Sequence, residues 1–224
     1  MDCMEGMKTF PDKYFDLAIV DPPYGIGASD DIRFGLKTKL AGSKRTNYDK
    51  KDWDFATPNQ DYFYELLRIS KNQIIWGANY FGLIGSILFW HKNNTSYTSS
   101  SGELAFLSFK KSIDYVYLLW HGAYQEDMKN KEIRIHPTQK PVQLYKWILH
   151  KYAKHEMKII DTHVGSASSI IAFLDFGCDW IGFEIDKDYH KAASERIEIH
   201  KKRPKPFFTD VELADKNIKQ KGFF

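Results

Sequence analysis

The sequence predicts an α/β fold, a mostly parallel sheet with helices on both faces. Three observations carry that expectation. Short apolar runs at 15–20, 73–76, 158–160 and 180–183 have the length and composition of buried strands. From residue 137 onward, strand and helix patterns alternate, as in parallel sheets with crossover helices. Acidic residues stand at the carboxyl ends of three of these runs, Asp21, Asp161 and Glu184, where ligands sit in such sheets.

Composition sets the bounds. A chain of 224 residues suits one α/β domain, so 1–224 is read as a single unit. With 43% hydrophobic and 27% charged residues it reads as globular, not disordered. No apolar run reaches the roughly 18 residues that span a bilayer, and no secretory pattern opens the chain. Cys3 and Cys178 make neither a disulfide framework nor a zinc spacing. The expected setting is a reducing cytoplasm, with no membrane partner and no metal. A net charge of +3 does not by itself argue for nucleic acid. Its distribution says more: Lys37, Lys39, Lys44, Arg45, Lys50 and Lys51 face only Asp49, and Lys201-Lys202-Arg203-Pro204-Lys205 follows near the end. Each run suits either solvated surface or phosphate binding.

The elements follow in order. Phe15–Val20 is a strand that stops at Asp21-Pro22-Pro23, because prolines cannot continue a ladder. Residues 25–56 are polar, basic and without period, and read as a loop. Thr57-Pro58-Asn59-Gln60 reads as a helix start with Thr57 as cap, and Tyr62, Phe63, Leu66 and Leu67 as its apolar stripe. Strands are expected at 73–76, 86–90, 103–109 and 113–119, with loops at 91–102 and 121–136. Pro141 opens a helix whose Tyr145, Ile148, Leu149 and Tyr152 share a face. A strand at 158–160, a helix at 166–176 stopped by Gly177, a strand at 180–183 and a charged helix at 188–200 complete the chain.

The chemistry gathers at Asp21-Pro22-Pro23-Tyr24. An exocyclic amine on a base is a poor nucleophile, because its lone pair is delocalised into the ring. Two acceptors near its hydrogens favour a more tetrahedral nitrogen. The Asp21 carboxylate and the Pro22 carbonyl would supply them, with Pro22-Pro23 fixing the geometry and Tyr24 offering a face for a flipped base. A proline turn after a buried strand is the plainer alternative. Asp161-Thr162-His163-Val164-Gly165-Ser166-Ala167-Ser168-Ser169 follows a strand and opens a helix, with small residues that let a ligand approach the backbone. It lacks the G-x-G-x-x-G of a pyrophosphate cradle. Glu184 could accept hydrogen bonds from ribose hydroxyls. A Ser/Ala helix packed on a sheet is the competing reading. In His136-Pro137-Thr138-Gln139-Lys140-Pro141, Thr138 and Lys140 could reach a ligand carboxylate, although spacing alone favours a simple turn ahead of a helix.

Together these motifs resemble the β-class DNA amino-methyltransferases over nearly the whole chain. Asp21-Pro22-Pro23-Tyr24 resembles the D-P-P-Y catalytic motif of the adenine-N6 type, Asp161 to Ser169 the cofactor motif D-P-F-x-G-S-G-T-T, and His136 to Pro141 the H-P-T-x-K-P element. Trp76-Gly77-Ala78-Asn79-Tyr80-Phe81 resembles a segment of small phage and prophage members. The chain departs from the cofactor motif at Thr162, His163, Ala167, Ser168 and Ser169; the serines keep the hydroxyls, and Ala167 adds a methyl group.

The resemblance implies a Rossmann-like class I methyltransferase fold with seven strands, one of them an antiparallel hairpin strand. It implies S-adenosylmethionine as cofactor, held by Asp2, Thr138, Lys140, Asp161, His163, Gly165, Ser166, Ser168 and Glu184. Here Asp2 matches the family's acidic residue that contacts the cofactor's adenine. The implied activity is methyl transfer to adenine N6 in double-stranded DNA, with Lys37, Lys39, Lys44 and Arg45 on the phosphates and a small target-recognition insertion at about 91–135. Lys92, Asn93, Asn94, Gln125 and Arg134 are the candidate base readers there. Cytosine-N4 methylation and a DNA-binding remnant without transfer activity are the alternatives. Some members dimerise, so a homodimer stays open. Cytosine-C5 and hydrolase chemistry lack their residues: neither cysteine follows a proline, and there is no H-E-x-x-H or G-x-S-x-G.

Overall fold

A computed structural model describes residues 1–28, 51–94, 100–121 and 124–203. The basic residues Lys37, Lys39, Lys44 and Arg45, and the run beyond Arg203, lie outside the described residues. At the centre runs β1 (Phe15–Val20), parallel to β2 (Ser70–Trp76) on one side and β8 (Lys158–Asp161) on the other. β9 (Asp179–Gly182) pairs parallel to β8. On the far side β4 (Gly102–Leu107) runs antiparallel between β2 and β3 (Ser86–His91), and β5 (Asp114–Tyr117) lies parallel to β3 at the edge. The order is β5-β3-β4-β2-β1-β8-β9, seven strands with one reversed. A separate two-stranded piece joins β6 (Trp120–His121) to β7 (Tyr124–Gln125).

Because β1 is covered on both sides, its residues read as an unbroken apolar run. Leu17 and Ile19 face one core with Leu144 and Ile148 of α3 (Val142–Tyr152) and Ile170 and Phe173 of α4 (Ser168–Phe176). Phe15, Ala18 and Val20 face a second core with Met7 of α1 (Cys3–Met7) and Tyr62, Leu66 and Ile69 of α2 (Gln60–Ile69). α5 (Lys187–Lys201) adds Ala193 to the first core. Helices therefore cover both faces. No helix among the described residues is long and apolar enough to cross a membrane.

Some local expectations shift. The cap of α2 is Asn59, not Thr57, with Asn59 Oδ1 accepting from the Tyr62 N–H at 3.1 Å. Its buried stripe is Tyr62, Leu66 and Ile69, while Leu67 is exposed. Tyr62 and Leu66 are buried as expected, and Phe63 is half-buried against the same core. α1 goes unread in sequence: it is a single turn, capped by Asp2 Oδ1 through the N–H groups of Met4 (2.7 Å) and Glu5 (3.2 Å). Arg68 of α2 fastens that turn, donating to the carbonyls of Phe10 (2.9 Å) and Met7 (3.2 Å). Within 91–135, β4 and β5 belong to the main sheet, so that region is not one separate insertion.

Candidate active site

The end of β1 delivers Asp21 to the carboxyl edge of the sheet, and Asp21 meets a chain of alternating charges there. Tyr24 donates its hydroxyl to Asp21 Oδ1 at 2.6 Å, and Lys140 Nζ lies 2.6 Å from Asp21 Oδ2. Lys140 Nζ is also 2.9 Å from Glu103 Oε2 and 3.0 Å from the Tyr24 oxygen. Lys92 closes the far end on Glu103 Oε1. Glu103 comes from β4, the strand that runs against the others, so the reversed strand carries a carboxylate into the site. Sequence assigns Lys140 to a cofactor carboxylate and Lys92 to base reading. Their ammonium groups are instead bound to Asp21 and Glu103, and Lys140 is only 4% exposed.

These charges shape one another. Burial raises the Asp21 carboxyl above the usual carboxylate range, with Lys140 pulling the other way. Glu103 is held down to about 2: burial opposes its charge, but Lys140 and Lys92 outweigh that penalty. Burial also works against the Lys140 ammonium, and the two carboxylates overcome it and raise its pKa.

Tyr24 is locked as a ring as well as a hydroxyl. Tyr80 stacks on it with centroids 4.8 Å apart and planes 15° apart. Gly77, at φ +79°, lies so close that a Cβ there would fall 2.4 Å from Tyr24 Cε1. A base stacking on that same face would have to displace Tyr80.

Beside Asp21 opens a cleft of about 280 Å³. Asp21, Pro23, Thr138, Lys140, His163, Gly165, Ser166, Ser168 and Glu184 line it, which brings together most of the residues expected on a cofactor. Glu184 Oε2 accepts from the Gly165 N–H at 2.8 Å and its Oε1 from the Asp186 N–H at 2.8 Å. Gly165 and Ala167 both adopt left-handed backbone, at φ +52° and +62°. Gly165 does so without strain; Ala167 does not.

Asp2 and Asp161 do not line this cleft. Asp161 lies beneath the loop, 1% exposed, accepting from the Ser169 hydroxyl at 2.5 Å and the His163 N–H at 3.0 Å. Burial pushes its carboxyl up to about 7 and holds the His163 imidazole down at about 4 and that of His136 at about 3. Trp53 joins the wall, its ring 4.9 Å from that of His136. Its buried indole N–H has no acceptor among the described residues, which fits a cleft that takes a polar ligand.

Of the proposed base readers, Gln125 and Asn94 are buried and engaged locally. Gln125 pairs with the Glu132 backbone in both directions, at 2.9 and 2.8 Å, and Asn94 donates to the Ser100 carbonyl at 3.2 Å. Arg134 packs over the Trp120 ring at 4.4 Å.

The chain is similar to known methyltransferases in sequence and in fold. Residues 89–195 match the family model described as DNA methylase, of the N6/N4 group. That match and the relatives below support a DNA amino-methyltransferase. YubD of Escherichia coli strain K12, which carries a methylase name, is 26% identical over 214 residues, 88% of this chain and 87% of that protein. The type II methyltransferase M.HinfI of Haemophilus influenzae is 23% identical over 266 residues, 97% of this chain and 71% of its own length. Among solved structures, the M1.HpyAVI–SAM complex aligns with a TM-score of 0.54 at 17% identity, covering 88% of this chain and 96% of that one. PvuII DNA methyltransferase, named as cytosine-N4-specific, aligns at 0.57 and 12%, covering 96% and 88%. The fold is therefore that of the class I methyltransferases, as the resemblance implies.

The residues that sequence does not single out are Glu103, Trp53 and Tyr80 in its stacked role. A carboxylate inside the apolar run Gly-Glu-Leu-Ala-Phe-Leu was the available signal for Glu103.

Proposed function

We propose that this protein transfers a methyl group from S-adenosylmethionine to the N6 amine of an adenine in double-stranded DNA. The observation that carries it is Asp21, presented at the end of the central strand beside a cleft lined by the cofactor-motif residues. When bound in that cleft, S-adenosylmethionine supplies an electrophilic methyl on a sulfonium. Thr138, His163, Gly165, Ser166, Ser168 and Glu184 would hold it, with Trp53 as a further wall. The Asp21 carboxylate and Pro22 carbonyl accept the amine hydrogens and draw its lone pair toward the methyl. Lys140 orients Asp21 Oδ2 and Tyr24 orients Oδ1. Burial, by raising the proton affinity of Asp21, suits it to take the proton that the methylated amine loses.

The aspartate at the first motif position favours adenine, since serine is commoner there in cytosine-N4 enzymes. Lys37, Lys39, Lys44 and Arg45 would neutralise phosphates, and connections within 91–135 would read sequence; the cytoplasm is the setting. Purified protein, tritiated S-adenosylmethionine and varied duplex DNA test this, followed by nuclease digestion and mass analysis. N6-methyladenine is expected. N4-methylcytosine would move the substrate to the other base, and no incorporation on any DNA would sink the reading.

A further inference from the structure

The segment just before α2 carries a buried carboxylate that the chemistry above leaves unused. Asp54 is 1% exposed. Its Oδ1 accepts from the N–H of Tyr24 at 2.7 Å and of Gly25 at 2.9 Å, and its Oδ2 from that of Ala28 at 2.7 Å. The Gly27 N–H donates to the Asp54 carbonyl at 2.9 Å. Gly25 and Gly27, at φ +70° and +68°, turn the backbone so that these N–H groups converge. Such a concave set of amides suits an anion, and here the anion is the protein's own.

We propose that Asp54 is a positioning residue for methyl transfer. This rests on the proposed function of the site. Asp54 fixes the Tyr24 backbone, Tyr24 fixes Asp21 Oδ1 at 2.6 Å, and Asp21 sets the angle at which the amine meets the methyl donor. The linkage extends to the cofactor side. Trp53, the preceding residue, lines the cleft, and Lys51 pairs with Asp186 at 2.9 Å and Asp188 at 2.5 Å. One short segment thus grips the catalytic loop and walls the cofactor cleft. A reacting geometry displaced by about 1 Å can lose on the order of 100-fold in rate, so a residue that touches no reacting atom can still govern turnover.

The test compares wild type with Asp54→Asn and Asp54→Ala. Asp54→Asn keeps an oxygen for Tyr24 and Gly25 but puts an amide against the Ala28 N–H. We expect kcat to fall about 10-fold in Asp54→Asn and about 100-fold in Asp54→Ala. KM for S-adenosylmethionine and its calorimetric Kd should stay within about threefold, the mark of lost positioning without lost binding. Hydrogen exchange should quicken in a peptide spanning 21–28 while 15–20 stays protected. A folded Asp54→Ala with wild-type kcat would overturn the proposal. So would kcat and cofactor binding lost together with general loss of exchange protection, which marks a structural role only. If wild type itself transfers no methyl group to any DNA, the proposed function fails instead, and unchanged exchange at 21–28 in Asp54→Ala would still overturn the hold of Asp54 on the loop.

Discussion

Lys140 sits between two carboxylates with almost no access to water, and its removal should show what it balances. Asp21 and Glu103 would then face each other without a shared cation, which commonly costs about 3–5 kcal/mol at a buried pair. Both keep some exposure, so we expect Lys140→Met to lose about 3 kcal/mol or less in urea unfolding, together with methyl transfer. Gly77→Ala should be damaging for a different reason. It forces a side chain into left-handed backbone and against the Tyr24 ring, and we expect about 1–3 kcal/mol lost and a slower kcat. Equal stability of Gly77→Ala and wild type would show that Tyr24 is not packed as described. Asp21, Pro22 and Tyr24 are legible in sequence because they are covalent neighbours. Glu103, Lys140 and Asp54 reach them only through the sheet and the returning loop, and no spacing rule announces such pairings. Lys140 is singled out for the right region and given another partner, since a lysine in a motif does not say which anion it meets.

Among the elements, α2 tests how its start is chosen. Asn59→Ala should cost about 1 kcal/mol in urea unfolding, and Thr57→Ala next to nothing, because only Asn59 accepts from the helix. The reverse order would restore the Thr57 cap that sequence suggests. The strands were readable from apolar runs alone, since burial on both faces leaves no room for polar alternation in β1 and β8. Gly177, at φ +78°, ends α4 where sequence expects. α1 was not readable, because one turn has too few residues for a period. The left-handed backbone of Ala167 was also hidden, for alanine gives no signal of it.

Across the whole molecule, burial of the site couples folding to pH. The His163 imidazole, held at about 4 against about 6.5 unfolded, refuses a proton that the unfolded chain takes up. Its contribution is therefore present above about pH 6.5 and is lost as pH falls toward 4. Asp161 acts oppositely: raised to about 7 from about 3.9, it favours the fold when protonated and withdraws that support as pH rises from about 4 to 7. Compared with wild type between pH 4 and 6.5, His163→Asn should lose stability less steeply on acidification and Asp161→Asn more steeply. Parallel curves for all three proteins would mean that these groups are not buried as described. The mostly parallel sheet and its helices on both faces follow from sequence, whereas the strand order and the meeting of residues 21, 54, 103 and 140 follow only from the folded chain.

Methyl transfer by the purified protein tests most directly whether Asp21 is the acceptor of a DNA amino-methyltransferase. Wild type and Asp21→Ala would be incubated with labelled S-adenosylmethionine and duplex DNA, with cofactor binding measured in parallel. N6-methyladenine is expected from wild type, and from Asp21→Ala no product with cofactor binding retained. Transfer by Asp21→Ala at the wild-type rate, or no transfer by wild type, would contradict it.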